Sequence, residues 1–428
     1  MTLAMAFILA VWVVVLFLGP PIWLTMALAG SAFVLSQNID SIIIAQQEVS
    51  AANSFPFVAA PLFILMGHVM NNAGVTHRIF DFAAAIVGWM RGGLCHANVI
   101  ASMIFAGMSG SAVAEAGGLG VVEIRAMRDA RYPPDMAAGL TAAAATIGPI
   151  IPPSLPMVVY GAAAEVSVGK LFIAGVIPGV LMGLALMVLC SFMARRLNLP
   201  KGNFPTFANI WQKFRDAFWA LMTPVVLLGG MLSGAFTPTE AAAVATLYAL
   251  ILGLFVYRSF SVASLPTLIL DTIETTGVVM ALVMAAKLLG WCLAISRIPQ
   301  ITGQMLTAWT TDPLIYLLIV NVLLLFVGCF MEGIAAMLIL IPILVPVAMK
   351  LGIDPVHFGV VFVLNLMIGT VTPPVGVVLY VVSNIAKISF ERMSRAIVPF
   401  LIPLLVALAA TTLWPPLTTW LPQLLIGR

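Results

Sequence analysis

The sequence predicts an all-α polytopic membrane protein built from two inverted-topology halves. Composition, a pair of proline breaks in register and the placement of basic residues carry that prediction. Hydrophobic residues make up 62% of the 428 and charged residues 8%, where a soluble domain has about a quarter of its residues charged. Apolar runs follow one another nearly end to end, too long for the alternating ten-residue pattern of a membrane barrel. Ile147-Gly148-Pro149-Ile150-Ile151-Pro152-Pro153 interrupts one of them. Ile368-Gly369-Thr370-Val371-Thr372-Pro373-Pro374 interrupts another, each residue 221 positions after its counterpart. The same offset aligns Phe105 with Phe326, Gly107 with Gly328, Pro134 with Pro355 and Pro178 with Pro399.

The first half covers residues 1–194. Met1 to Leu18 lacks a basic leader and a cleavage site, so it reads as a retained span, followed by a second at 20–36 after Pro20-Pro21. Ser36 to Ser54 mixes Gln37, Asn38, Asp40, Gln46, Gln47 and Glu48 with Ile42, Ile43 and Ile44, the pattern of a helix lying along the interface. A span at 55–71 and an interfacial stretch at 76–91 come next. Residues 93–125 are apolar on both sides of Gly107-Met108-Ser109-Gly110-Ser111. Each limb of roughly 14 residues reaches only about 21 Å, short of the ~30 Å hydrocarbon core, so the segment reads as a re-entrant hairpin. The first broken helix occupies 135–163, and a long span 170–194.

A polar stretch at 195–216 reads as a linker on the cytoplasmic side. The second half, 217–428, repeats the plan. Spans are expected at 217–235, 238–257 and 275–293, with interfacial pieces at 258–274 and 297–311. A second hairpin covers 314–350, turning at 328–333; a second broken helix covers 356–386 and a final span 395–422. Five crossings per half, an odd number, place the second half upside down relative to the first. The positive-inside rule supports that count. With the base of the first hairpin in the cytoplasm, 14 of 19 Lys and Arg fall inside, while Lys170, Arg297, Lys350 and Arg428 fall outside and Lys287 lies within a span.

Proline lacks an N–H and clashes with the preceding turn, and glycine loosens what remains. An unpaired backbone group in lipid costs several kcal/mol, so broken helices are tolerated only against protein or a wet cavity. Paired breaks in matching halves point to a transporter's binding site. Cys95, Cys190, Cys292 and Cys329 sit singly in apolar stretches and read as small core residues. The net charge of +3, with no basic patch, argues against nucleic acid. No phosphate-binding loop is present.

Gly107-Met108-Ser109-Gly110-Ser111-Ala112, Ile150-Ile151-Pro152-Pro153-Ser154, Phe236-Thr237-Pro238-Thr239-Glu240-Ala241-Ala242-Ala243 and Thr372-Pro373-Pro374-Val375-Gly376 occur in that order. Together they resemble the large membrane subunit of TRAP (tripartite ATP-independent periplasmic) transporters, over essentially the whole chain. The resemblance implies a non-enzymatic, Na⁺-coupled importer of the bacterial inner membrane with an ion-transporter-like elevator fold. It also implies an organic-acid substrate (a C4-dicarboxylate, sialic acid or keto sugar acid). Two separate partners are implied, a small four-helix membrane subunit and a periplasmic substrate-binding protein.

Desolvated Na⁺ needs about five or six oxygens, which broken-helix carbonyls and hydroxyls supply. The first ion site is expected at Gly107, Ser109, Ser111, Ile147 and Gly148, and by repeat symmetry the second at Gly328, Gly369, Thr370 and Thr372. Ser154, Asn365 and Thr372 are the candidates for the substrate carboxylate, between the tips. Glu115, four residues past Ser111, reads as a hydrogen-bonded brace or a proton carrier, and Glu332 at the second tip invites the same question. Glu240 completes a capping box with Thr237 and Pro238. Two other readings remain. One is a binding-protein-independent sodium/dicarboxylate or citrate symporter; the other is an intramembrane serine protease using Ser109, which needs a general-base histidine within reach.

Overall fold

The computed structural model describes residues 2–16, 18–53 and 55–427. Met1 and Phe17 in the first expected span, Ser54 at the end of the interfacial stretch, and Arg428, expected on the outer side, are not among them. The described residues form helices joined by short turns. The first half runs α1 (Thr2–Leu16), α2 (Ile22–Ser36), α3 (Ile42–Ala52), α4 (Phe55–Asn72) and α5 (Val75–Val87). Its hairpin is α6 (Gly93–Ser109) with α7 (Ala112–Asp129), its broken helix α8 (Pro134–Ala145) with α9 (Leu155–Ala163), and its last helix α10 (Val168–Arg196).

The second half runs α11 (Phe207–Leu232), α12 (Pro238–Ile251), α13 (Leu265–Ile295) and α14 (Ile298–Trp309). Its hairpin is α15 (Pro313–Phe330) with α16 (Gly333–Lys350), and its broken helix α17 (Pro355–Gly369) with α18 (Val377–Ala386). Helices α19 (Phe390–Leu413) and α20 (Pro416–Leu425) close the chain.

Local chemistry explains most boundaries. Thr237 accepts from the Glu240 N–H while the Glu240 carboxylate accepts from the Thr237 N–H at 2.8 Å, the expected capping box with Pro238 at the first helical position. Ser111, Ser154 and Glu332 each cap the helix that leaves a tip or a break, supplying acceptors to otherwise orphaned N–H groups. Asp312 and Asp354 do the same ahead of Pro313 and Pro355.

Three expectations are corrected. The polar linker ends early, because Thr206 caps a helix that starts at Phe207 and carries exposed Trp211 ahead of the expected span. The interfacial piece 258–274 and the span 275–293 merge largely into one 31-residue helix, α13. The hairpin limbs hold 17 and 18 residues in the first half and 18 each in the second. At 1.5 Å per residue that is about 26–27 Å, so length alone does not separate limb from span. Among the described residues seven helices are long and apolar enough to cross a membrane, or up to eight with the bent α3–α4 pair.

The halves interlock by exchanging equivalent partners. Helix α2 packs on α13 and α12 on α4; α9 packs on α16 and α18 on α7; α8 packs on α19 and α17 on α10. Buried polar contacts pin these crossings, with Thr246 donating to the Leu62 carbonyl at 2.8 Å and Tyr160 to the Pro355 carbonyl at 3.1 Å. Each hydrogen bond contributes about 1 kcal/mol net, but leaving either buried partner unmade costs more.

Candidate functional site

Each hairpin tip lies on its own half's break. Gly110 at the first tip has φ +63°, and its carbonyl accepts from the Leu155 N–H at 3.3 Å. At the second, the Cys329 carbonyl accepts from the Gly376 N–H at 3.2 Å, and Leu155 and Gly376 are equivalent under the 221-residue offset. Both breaks contain a cis Pro-Pro bond, Pro152–Pro153 and Pro373–Pro374. The two tips and two breaks then meet around one cavity of about 40 Å³, lined by Ser111, Pro149, Pro156, Glu332, Met367 and Thr370 among others.

That volume decides what the cavity can hold. A single water needs about 10–15 Å³ on this measure, so the space fits a dehydrated cation or a few waters and excludes an organic acid. A second cavity of about 980 Å³ lies among α3, α13, the end of α9 and the middle of α16, lined by Gln47, Ser50, Glu165, Ser167, Lys287 and Trp291 among others. Small-molecule sites commonly measure about 300–1,000 Å³. Lys287, for which the sequence names no partner, opens into this cavity from the middle of α13.

The expected ion-site residues divide. Ser111 and Thr370 line the small cavity. Ser109 is buried beside it, donating to the Ser111 carbonyl at 3.4 Å, and Thr372 donates to the Ile368 carbonyl at 2.7 Å, so both hydroxyls keep lone pairs free. Gly107 packs closely, since a Cβ there would strike the Pro224 ring of α11. Gly328 and Gly369 pack backbone to backbone, a Cβ on Gly369 falling 2.6 Å from the Gly328 Cα. The Ile147 carbonyl already accepts from Ile150 and Ile151 at 3.0 and 3.1 Å. Gly148 lies under the Glu115 carboxylate.

The substrate candidates are held in hydrogen bonds of their own. Ser154 is fully buried, donates to the Pro149 carbonyl and accepts from the Met157 N–H at 3.2 Å. Asn365 is fully buried and donates to Asn321 Oδ1 at 2.8 Å, while Asn321 donates to Thr412 at 2.9 Å. Ser154, Asn365 and Thr372 line neither cavity; Ser154 and Asn365 brace the breaks, while Thr372 lies two residues from Thr370 on the wall of the small one.

Glu332 is a cap whose Oε2 accepts from the Ala335 N–H at 3.0 Å, on the wall of the small cavity. Glu115 is 1% exposed, and its carboxylate lies against Gly148 and close to Ser102. Its neighbours Glu123, Asn98 and Thr141 were not foreseen from the sequence. They are equally buried and joined by Asn98 donating to Glu123 at 2.9 Å and to Thr141 at 2.8 Å. The signal was available, since Glu115 and Glu123 lie two turns apart on one face of a helix otherwise rich in small and apolar residues.

Nor do the histidines supply a base for Ser109. His68 follows Gly67, which approaches the Ser109 backbone, but its ring turns to Thr272 at 3.2 Å. His96 pairs with Ser191 at 2.9 Å, His357 with Thr418 at 2.8 Å, and His77 is exposed.

Residues 9–417 match the family described as "Tripartite ATP-independent periplasmic transporter, DctM component". The chain belongs to this TRAP large-subunit family. It is 46% identical over 420 residues to the sialic acid TRAP transporter large permease protein SiaM of Vibrio cholerae, covering 97% of this chain and 98% of that one. It is 42% identical over 400 residues to the C4-dicarboxylate TRAP transporter large permease protein DctM of Pseudomonas aeruginosa, covering 93% and 94%. The crystal structure of the Alcanivorax borkumensis YdaH transporter matches with a TM-score of 0.62 at 16% identity, covering 86% of this chain and 88% of that one. At that identity the likeness speaks for the fold. The TRAP assignment agrees with the sequence resemblance, and the relatives are named as permeases rather than enzymes.

Proposed function

We propose that this TRAP large permease imports a small organic acid across the bacterial inner membrane, coupled to Na⁺. It does so with a small four-helix membrane subunit and a periplasmic binding protein. The observation that carries the reading is the small cavity at which both hairpin tips and both breaks converge. Its size suits the driving cation. Ser111 and Thr370 on its wall supply hydroxyl oxygens, Ser109 and Thr372 two residues from them turn in to join them when the ion binds, and backbone at the breaks completes the shell.

The acid itself enters by the wider cavity. An intramembrane lysine is costly in lipid, and Lys287 facing a 980 Å³ space gives an anionic carboxylate its counter-charge. Gln47, Ser50 and Ser167 add hydrogen-bonding groups along the wall. This cavity opens beside α9 and α16, and in this reading hairpins and breaks move as one body against α2, α4, α12 and α13. That motion is an elevator step in which the hairpins and breaks of both halves travel together. The substrate class follows the relatives, with a sugar acid of the sialic acid kind first.

Ser109→Ala and Thr372→Ala are expected to raise the Na⁺ concentration for half-maximal uptake about tenfold, the size of one lost charge–oxygen contact, without lowering the amount of protein in the membrane. Initial uptake rates against Na⁺ in vesicles holding all three components measure this. An unchanged Na⁺ dependence in both variants would remove these hydroxyls from the ion sites.

A further inference from the structure

A third cavity, of about 670 Å³, opens where the start of α8, the end of α10 and the start of α19 come together. It shares no lining residue with the small cavity or the wide one. Pro133 on its wall closely follows Asp129, the last residue of α7, so the cavity lies at the base of the first hairpin, on the side where 14 of 19 Lys and Arg fall. Met136, Met193, Leu197 and Phe400 give it an apolar wall, and Arg392 and Arg395 line it from one face of α19.

The two arginines differ in what answers their charge. Arg392 donates to Asp135 of α8. Arg395 has no carboxylate within 4 Å among the described residues, although Glu391, one turn before it, also lines the cavity. Arg195 and Arg196, exposed at the end of α10 beside Leu197, add positive charge nearby. Ser389 accepts from the Arg392 N–H at 3.3 Å and keeps its O–H to donate. Beyond the arginines the surface turns apolar. Val398 and Ile402, one and two turns past Arg395, are 53% and 63% exposed, and Val188 and Phe192 on α10 are 71% and 63% exposed. Both helices are long and apolar enough to span, so these side chains meet acyl chains.

We propose that this cavity binds an anionic phospholipid of the inner leaflet, its phosphate held by Arg395 and Arg392 and its acyl chains lying along α10 and α19. A guanidinium fork matches phosphate oxygens in pairs, and basic pockets between spanning helices on the cytoplasmic side suit anionic headgroups. A free phosphate would leave the apolar wall wet; a lipid covers it. The fold itself does not demand the arginines. Under the 221-residue offset the first half has Leu171 and Ala174 in their places, both buried. The corresponding cavity of that half, about 650 Å³ and lined by Lys170, Asp354, Pro355 and Val356, contains no arginine.

Native mass spectrometry of the full-length chain, stripped of lipid in detergent and titrated with defined lipids, tests this. No substrate, Na⁺ or partner is present, so the outcome is separate from that of the uptake reading. The wild type is expected to hold a single phosphatidylglycerol at concentrations where phosphatidylcholine does not stay bound. Arg395→Gln is expected to lower that occupancy about tenfold, the loss of one charge-assisted contact. Met193→Trp, which fills the apolar wall and keeps both arginines, should lower it too. Arg125→Gln, exposed on the same side and outside the cavity, should leave it unchanged. Equal retention of the two lipids, unchanged occupancy in Arg395→Gln and Met193→Trp, or an equal loss in Arg125→Gln would overturn the assignment. So would displacement of the lipid by glycerol phosphate at matched concentration, which would make the cavity a site for a soluble phosphate ester.

Discussion

Gly110→Ala is expected to cut uptake more than tenfold while leaving the chain in the membrane. Gly110 stands at φ +63°, a region that costs an alanine about 1–2 kcal/mol. The added Cβ would fall 2.6 Å from the Pro153 carbonyl oxygen and 3.3 Å from the Leu155 nitrogen, both backbone atoms of the break. A flexible side chain would yield; these cannot. The tip must lift from the break, losing the Leu155 N–H to Gly110 carbonyl bond and opening the wall of the small cavity. Initial uptake rates normalised to protein in the membrane measure the effect, and Gly117→Ala serves as the control. A Cβ at Gly117, on the same hairpin, meets nothing within 4 Å. Near-normal uptake by Gly110→Ala would mean that tip and break need not touch.

Gly369→Ala should fail for the corresponding reason in the second half. Its Cβ would meet the Gly328 Cα and carbonyl carbon at 2.6 and 2.7 Å, so α15 and α17 must separate. Overpacking of this kind costs about 1–3 kcal/mol, and the neighbouring Asn365–Asn321–Thr412 chain, which spans α17, α15 and α19, is strained with it. Loss of uptake together with a lowered unfolding midpoint in detergent is the expected result. A variant with unchanged midpoint and uptake would show that the contact is dispensable.

The turns at 110–111 and 331–332, the breaks and the capping box were legible because glycine, proline and capping residues act locally. The first residue of α11 was not, since Pro205-Thr206 is a weak start signal inside a polar stretch. The merging of 265–295 into one helix was hidden by Asp271, Thr272, Glu274, Thr275 and Thr276, which lowered its hydrophobicity without breaking it. At the site, small residues carry a packing role that spacing did not announce. Gly107, Gly328 and Gly369 lie where ion ligands were expected, yet their missing side chains make room for Pro224 and for one another. Ser154 and Asn365 were drawn as open to substrate, but helix capping and a buried amide pair use them. Which hydroxyl faces a cavity is a tertiary property. Spacing alone does not report it.

Entry of the two hairpins from opposite faces of the membrane underlies everything proposed for the site. Single cysteines at Arg128 and Lys350, both exposed at the base of their hairpins, test it most directly. Lys350 is preferable to the nearby Gly352, whose φ of +76° disfavours a side chain, and the four native cysteines are buried. With a membrane-impermeant thiol reagent on intact spheroplasts, Arg128→Cys is expected to label only after the membrane is opened and Lys350→Cys to label at once. Labelling of both from the same side would contradict the inverted arrangement and the enclosed site built on it.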